Sequence, residues 1–281
     1  MNNNIHPCLW YDGNAKAAAE FYCSIFPGST IIADTPMVVK WQLAGQTFMG
    51  LNGGPMFQQN ASISMMVTCE ENTEIDELWD RLCDGGMVMM PLGKYDWSEH
   101  YGFVQDKFGL CWQLYKGNYS YVNQKITPTL LFVGNNFGKA EAAVKYYAEV
   151  FKPSHIEGIL LYAENEGPAA GSVKHAQFVL DGKVFMAMDG YGEHTFGFTE
   201  GISFVVECET QVDIDYFWDT LTCNGGQESM CGWLKDKFGI SWQIIPKNIG
   251  AIMMDPVKGQ KAMQALMKMK KIEVDKLVNA S

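Results

Sequence analysis

Two stretches decide how this chain folds: Gly102 to Leu114, GFVQDKFGLCWQL, and Gly232 to Ile244, GWLKDKFGISWQI. They are identical at seven of thirteen positions. Working outward, Ala15 to Phe26 (AKAAAEFYCSIF) matches Ala140 to Phe151 (AEAAVKYYAEVF) at five of twelve. Leu43 to Gly53 (LAGQTFMGLNG) matches Leu180 to Gly190 (LDGKVFMAMDG) at five of eleven. Three blocks recurring in the same order define an internal duplication. The second copy has extra residues after Asn135 and lacks most of the loop that occupies Met87 to Tyr101 in the first.

Each copy reads as two strand–helix–strand modules. In the first, Ile5 to Tyr11 is a short apolar strand, and Ala15 to Phe26 is a helix with Ala18, Phe21, Tyr22 and Ile25 at the spacing of one buried face. Pro27-Gly28 stops it, as Pro153 stops its twin. Strands follow around Val38 to Leu43 and Thr47 to Leu51, joined by Ala44-Gly45; the twin joint, Asp181-Gly182, is a preferred hairpin turn. The second module begins with the strand Ile63 to Cys69. A helix from about Thr73, the expected N-cap, to Cys83 carries Ile75, Leu78, Trp79 and Leu82 on one face. Ile214, Phe217, Trp218 and Leu221 repeat that face.

A length of 281 residues suits two domains of roughly 150 residues. We place them at residues 1–118 and 125–247, with a polar linker from Gly117 to Lys125. A C-terminal extension, residues 255–279, reads as one helix from about Pro256 to Val278.

The formal charge of −11 leaves no basic stripe for phosphates, so nucleic acid is not expected as a partner. No pair of the eight cysteines has C-x-x-C spacing, which argues against thiolate metal or redox motifs and for reduced thiols. Neither a signal peptide nor an apolar run of about 20 residues is visible, so no membrane association is expected and the expected location is cytoplasmic.

The segments PCLWYDGNAKAAAEFYCSIF, LAGQTFMGLNGG, YDWSEHYGFVQDKFGLCWQL and CGWLKDKFGISWQIIP resemble the PhnB-like branch of the vicinal oxygen chelate (glyoxalase/bleomycin resistance/dioxygenase) superfamily, whose members are often labelled 3-demethylubiquinone-9 3-methyltransferase-like. The resemblance implies an α+β fold: tandem domains, each of two βαβββ modules forming a curved sheet around a cavity. It implies also that the two copies pair within one chain as a pseudo-dimer, with a homodimer as an alternative. Metal-dependent members place His or Glu ligands on the concave face. Carried over, those positions fall at Pro7 and Pro128, Met49 and Met186, at or near Ile63 and Ile202, and at Gln113 and Gln243; proline, methionine and isoleucine offer no hard donor to a divalent cation, and a neutral amide is a weak one. We therefore expect no metal and no cofactor.

The expected function is binding of a partly apolar small molecule; the alternative is an enzyme of unknown reaction, a metal-dependent lyase, isomerase or dioxygenase, or the methyltransferase that the label suggests. Gln113 and Gln243 are amides in apolar closing strands and must find polar partners. Trp41, Met49, Trp97, Tyr101 and Met186 supply adaptable apolar surface, and the loop from Pro91 to Tyr101 is expected to act as a lid. His175, on a strand, completes the set and is the candidate general base if the protein is an enzyme; His194, Glu193 and Asp189 could gather near it. The methyltransferase label has little sequence support. Gly190-Tyr191-Gly192 is the only G-x-G, and no helical pattern follows it.

Overall fold

The computed structural model describes residues 4–118, 120 and 123–280. Met1 to Asn3 and three residues of the expected linker, 119, 121 and 122, lie outside the described residues. Contacts divide the chain into a larger unit, residues 7–202, and a smaller one, residues 1–6 with 203–281.

The first repeat supplies β1 (Asn4–Tyr11), α1 (Ala15–Ile25), β2 (Thr30–Asp34), β3 (Val38–Leu43) and β4 (Gln46–Asn52), then β5 (Ile63–Cys69), α2 (Asn72–Cys83), β6 (Met87–Tyr95), β7 (Ser98–Gln105) and β8 (Cys111–Lys116). The second repeat begins with β9 (Ile126–Phe132), α3 (Ala140–Val150), β10 (Ser154–Leu161), β11 (Val173–Leu180) and β12 (Lys183–Asp189). In the larger unit β9 to β12 join β5 to β8 in one eight-stranded sheet, ordered β10-β11-β12-β9-β5-β8-β7-β6. The modules sharing this sheet therefore come from different repeats, and they meet where β5 runs antiparallel to β9. The first module of the first repeat lies in order β1-β4-β3-β2.

The D-x-x-G-x-x-W motif is structural. Asp106 Oδ1 accepts the backbone N–H groups of Phe108 and Leu110 at 2.8 and 3.1 Å, which ties the turn between β7 and β8. Its Oδ2 accepts the Trp112 indole N–H at 2.7 Å and the Tyr22 hydroxyl at 2.8 Å. Tyr22 lies on α1, so one buried carboxylate anchors the helix of the first module to the closing strand of the second. Burial pushes the Asp106 carboxyl up against these four hydrogen bonds, which pull it down. α1 buries Ala15, Ala18, Ala19 and Tyr22, a face rotated from the expected one. The alanines permit a close approach: a Cβ on Gly50 of β4 would stand 3.0 Å from Ala15 Cβ.

In the smaller unit β13 (Ile202–Cys208), α4 (Gln211–Thr222), β14 (Gln227–Glu228), β15 (Trp233–Lys235) and β16 (Ser241–Pro246) repeat the second module in reduced form. Asp236 takes the Phe238 and Ile240 N–H groups and the Trp242 indole, as Asp106 does in its copy. α4 opens on a capping box of Thr210 and Asp213, whereas α2 starts after Glu71 with no side-chain cap, so Thr73 does not serve as one.

Three sequence expectations change. β2 and β10, unassigned in the sequence, are exposed edge strands, TIIAD and SHIEGILL, without an alternating apolar face. The stretch Pro91 to Tyr101 is a β6–β7 hairpin instead of a loop. The tail is three short helices, α5 (Ile249–Met253), α6 (Gly259–Leu266) and α7 (Val274–Val278). Between α6 and α7 the chain is drawn out as backbone partner to the edge: Cys231 N–H donates to Met269 O at 2.7 Å and Gly232 N–H to Lys270 O at 2.8 Å. Those bonds, with Gln211 gripping Ile272 O and Val274 N–H, are incompatible with a continuous helix.

Candidate functional site

Side chains alternate across a strand, so register assigns each residue of the larger unit's sheet to a face. The helix-side face carries Met65 and Trp112, paired across β5 and β8. Its opposite, concave face holds two cross-strand rows. One runs Thr127, Met66, Gln113, Phe103 across β9, β5, β8 and β7. The other runs Gln177, Met186, Thr129, Ser64 across β11, β12, β9 and β5.

A chain of hydrogen bonds links the rows. The Tyr101 hydroxyl donates to Gln113 Oε1 at 2.7 Å, and Gln113 Nε2 donates to Ser64 Oγ at 2.8 Å. All three residues are buried. Burial drives the Tyr101 phenol well above its ordinary range, so it stays a neutral donor. Thr127 is fully buried in the same row as Gln113, and its hydroxyl has no hydrogen-bond partner among the described residues. Cys111, pushed up to about 12 by burial, is a thiol here and not a nucleophile.

Tyr101 also belongs to a cluster of rings at the end of the β6–β7 hairpin. Trp97 stacks on Tyr95 with centroids 4.9 Å apart, and both meet Tyr101 edge-on, at 5.8 and 5.6 Å. Trp97 remains 55% exposed. A cleft lined by residues 94–99 and 115–117 opens beside it. Lys174 on β11 has its amine pulled up by Glu166 and, more weakly, by Asp96 at the hairpin turn. The hairpin tip thus lies within electrostatic reach of the strand on the far side of the same sheet.

The structure gathers Trp97, Tyr101 and Gln113 and sets Met186 and His175 on two further strands of the same sheet. Register with Gln177 turns His175 to the concave face, half-buried, and burial holds its imidazole below the ordinary histidine value, so it is neutral at pH 7. Trp41 is elsewhere: it packs beneath α1, 6.1 Å from Tyr22 and stacked on Phe48. Met49 lies on β4, paired with Cys8 and Lys40. Gln243 belongs to the smaller unit, where its Nε2 donates to Ser203 Oγ at 2.9 Å. Asp189 does not gather with His175, because it accepts the N–H groups of Gly138, Ala140 and Val173. His100 turns to α2, with Nε2 2.7 Å from Asp76 Oδ1.

Ser64, Thr127, Thr129 and Tyr95 escaped the sequence reading. Pro128 and Ile63, the positions carried over as metal-ligand equivalents, lie on the helix side, paired with Met65 and Leu130. A slip of one residue exchanges the faces, so the positions that look into the concavity are Thr127, Thr129 and Ser64. The doublet of threonines in Ile126–Phe132 was the available signal. Neutral hydroxyls and an amide are weaker donors to a divalent cation than carboxylates, and thioethers suit softer metals. Among the described residues no three His, Cys, Asp or Glu side chains come together where an ion would fit.

Comparison with known proteins places this architecture. A point mutant of glyoxalase I from Zea mays matches 88% of this chain and 95% of its own, at TM-score 0.55 and 10% identity. Glyoxalase I itself from Zea mays matches at TM-score 0.52 and 10% identity, over 86% and 92%. The fold is that of the glyoxalase-like vicinal oxygen chelate superfamily, in tandem. The family model described as 3-demethylubiquinone-9 3-methyltransferase matches residues 3–115 and 124–245, and the chain belongs to that family. A putative 3-demethylubiquinone-9 3-methyltransferase, PhnB protein, from Bacillus cereus is 32% identical over 39% of this chain and 96% of its own, with a TM-score of 0.37. No curated protein matches.

Proposed function

We propose that the larger unit binds a partly apolar small molecule on the concave face of its eight-stranded sheet, without a catalytic metal. One observation carries this reading. The Thr127 hydroxyl is fully buried with no partner among the described residues, two strands from Gln113. An unsatisfied buried polar group costs about 1–3 kcal/mol, and a ligand oxygen placed there recovers it. Tyr101 and Ser64 hold the Gln113 amide in place from both sides, so it is preorganised and its second N–H is available to a ligand. Met66 and Met186 supply the deformable apolar contact.

The test is equilibrium dialysis of the full-length protein against a library of small molecules, with a chelator present throughout. Ligands should be retained by the wild type and released by Gln113→Ala. Retention that depends on an added divalent cation contradicts the proposal.

A second reading, methyl transfer, is favoured by the family's description alone. A typical donor site for S-adenosylmethionine needs a glycine-rich turn leading from a strand into a helix. Gly190 and Gly192 lead instead into residues 190–201, which hold neither helix nor strand before β13. Calorimetric titration with S-adenosylmethionine separates the readings: we expect no heat of binding.

A further inference from the structure

We infer that the molecule taken by this site is uncharged, elongated, and built of a flat conjugated ring and at least one oxygen. The inference rests on the concave face being a binding site. Neutrality follows from the four central strands. β5 and β9 contain no charged residue, and those on β8 and β12 stand at strand ends: Lys116, Lys183 and Asp189. Asp189 is already committed to backbone N–H groups beside α3. An ionised ligand pressed against the middle of this face finds no counter-charge and loses its hydration; the charged residues of the cleft beside Trp97, Lys94, Asp96, Glu99 and Lys116, stand at its margin. At the rim, Lys94 and Glu99 pair with each other at 2.9 Å.

The ring follows from Trp97. Its indole is over half exposed while one face is stacked on Tyr95 and its edge set by Tyr101. That is a fixed platform with a bare aromatic surface, and an offset flat ring is its best complement. The oxygen follows from the Thr127 hydroxyl, unpartnered among the described residues.

The length comes from joining these points. Tyr101 touches Trp97 and bonds to Gln113, and Gln113 stands two strands from Thr127, roughly 10 Å at the usual inter-strand spacing. A molecule engaging both ends must exceed that length.

The probes are flavone, an uncharged planar aromatic ketone; its carboxylated analogue; and cyclododecanone, an uncharged ketone without a conjugated ring. Each is titrated calorimetrically into the full-length protein. We expect one flavone per chain, at least tenfold weaker binding of the carboxylate and of cyclododecanone, and at least tenfold weaker flavone binding by Trp97→Ala. Trp97 is exposed, so its removal should leave the thermal midpoint unchanged. Cyclododecanone binding as tightly as flavone, indifferent to Trp97→Ala but lost on Gln113→Ala, overturns the ring and leaves the site standing. Absence of binding by any probe, or binding indifferent to Gln113→Ala, overturns the inference and the site together.

Discussion

The Tyr101 hydroxyl donates to Gln113 Oε1 at 2.7 Å, and the residue aligned with Tyr101 in the second repeat is Cys231. The duplication therefore kept one polar pair in both copies, Gln113 with Ser64 and Gln243 with Ser203, and added a phenol to the first alone. In the second copy the chain at Cys231 and Gly232 is engaged by the C-terminal tail instead. The repeats are alike in framework and unlike in what they offer a ligand.

That asymmetry predicts a one-sided response. Gln113→Ala should weaken ligand binding at least tenfold, the equivalent of about 1.4 kcal/mol or more. Gln243→Ala should change it less than twofold. Calorimetric titration of both variants with one ligand makes the comparison.

Asp106 gives a prediction about stability. Asp106→Ala leaves the Trp112 indole and two backbone N–H groups without their acceptor, and leaves the Tyr22 hydroxyl only the Tyr11 hydroxyl, 3.5 Å away. The loss should be at least about 3 kcal/mol, since each orphaned buried donor costs about 1–3 kcal/mol. Tyr22→Phe removes a single donor and should cost about 1 kcal/mol. Urea denaturation of both variants checks the order.

The pH dependence follows from His175. Its folded-state pKa lies below the ordinary histidine value because burial opposes the charged form. The unfolded chain therefore takes up the proton first as pH falls. The stability associated with the neutral imidazole is complete above the unfolded value of about 6.5 and is lost as pH drops through the folded one. His175→Leu should abolish this component. The difference in unfolding free energy between wild type and variant, followed from pH 8 to pH 5, should favour the variant increasingly toward acid.

The tail should behave as part of the smaller unit's core. Ile272 is fully buried, and its side chain lies within 2.9 Å of where a Cβ on Gly232 would stand. Ile272→Ala should cost about 2–4 kcal/mol, in the range of large-to-small core changes. Met267→Ala, at a side chain 61% exposed, should stay within about 0.5 kcal/mol. Thermal unfolding of the two variants separates them.

Much of the framework was legible because duplication wrote it twice. The D-x-x-G-x-x-W turn stands out in sequence for a physical reason: one carboxylate must satisfy the turn and the indole together. Strand pairing was not legible. No local pattern tells β5 to run beside β9 of the other repeat, because that choice lies in long-range contacts. The site suffered from the same blindness. Gln113 was visible as an amide among apolar residues, but Thr127 and Ser64 become meaningful only when register assigns them to one face. Trp41 and Trp97 look alike in sequence. Alternation against α1 buries the first, and a hairpin tip exposes the second.

A crystal structure of the full-length protein with a ligand retained in dialysis would show whether the concave face is the binding site. Density is expected against the concave face of β9, β5 and β8, with a ligand oxygen within hydrogen-bonding distance of Thr127 Oγ1 or the Gln113 amide. A ligand seated elsewhere, or an ion on that face held by three or more protein donors, would contradict it.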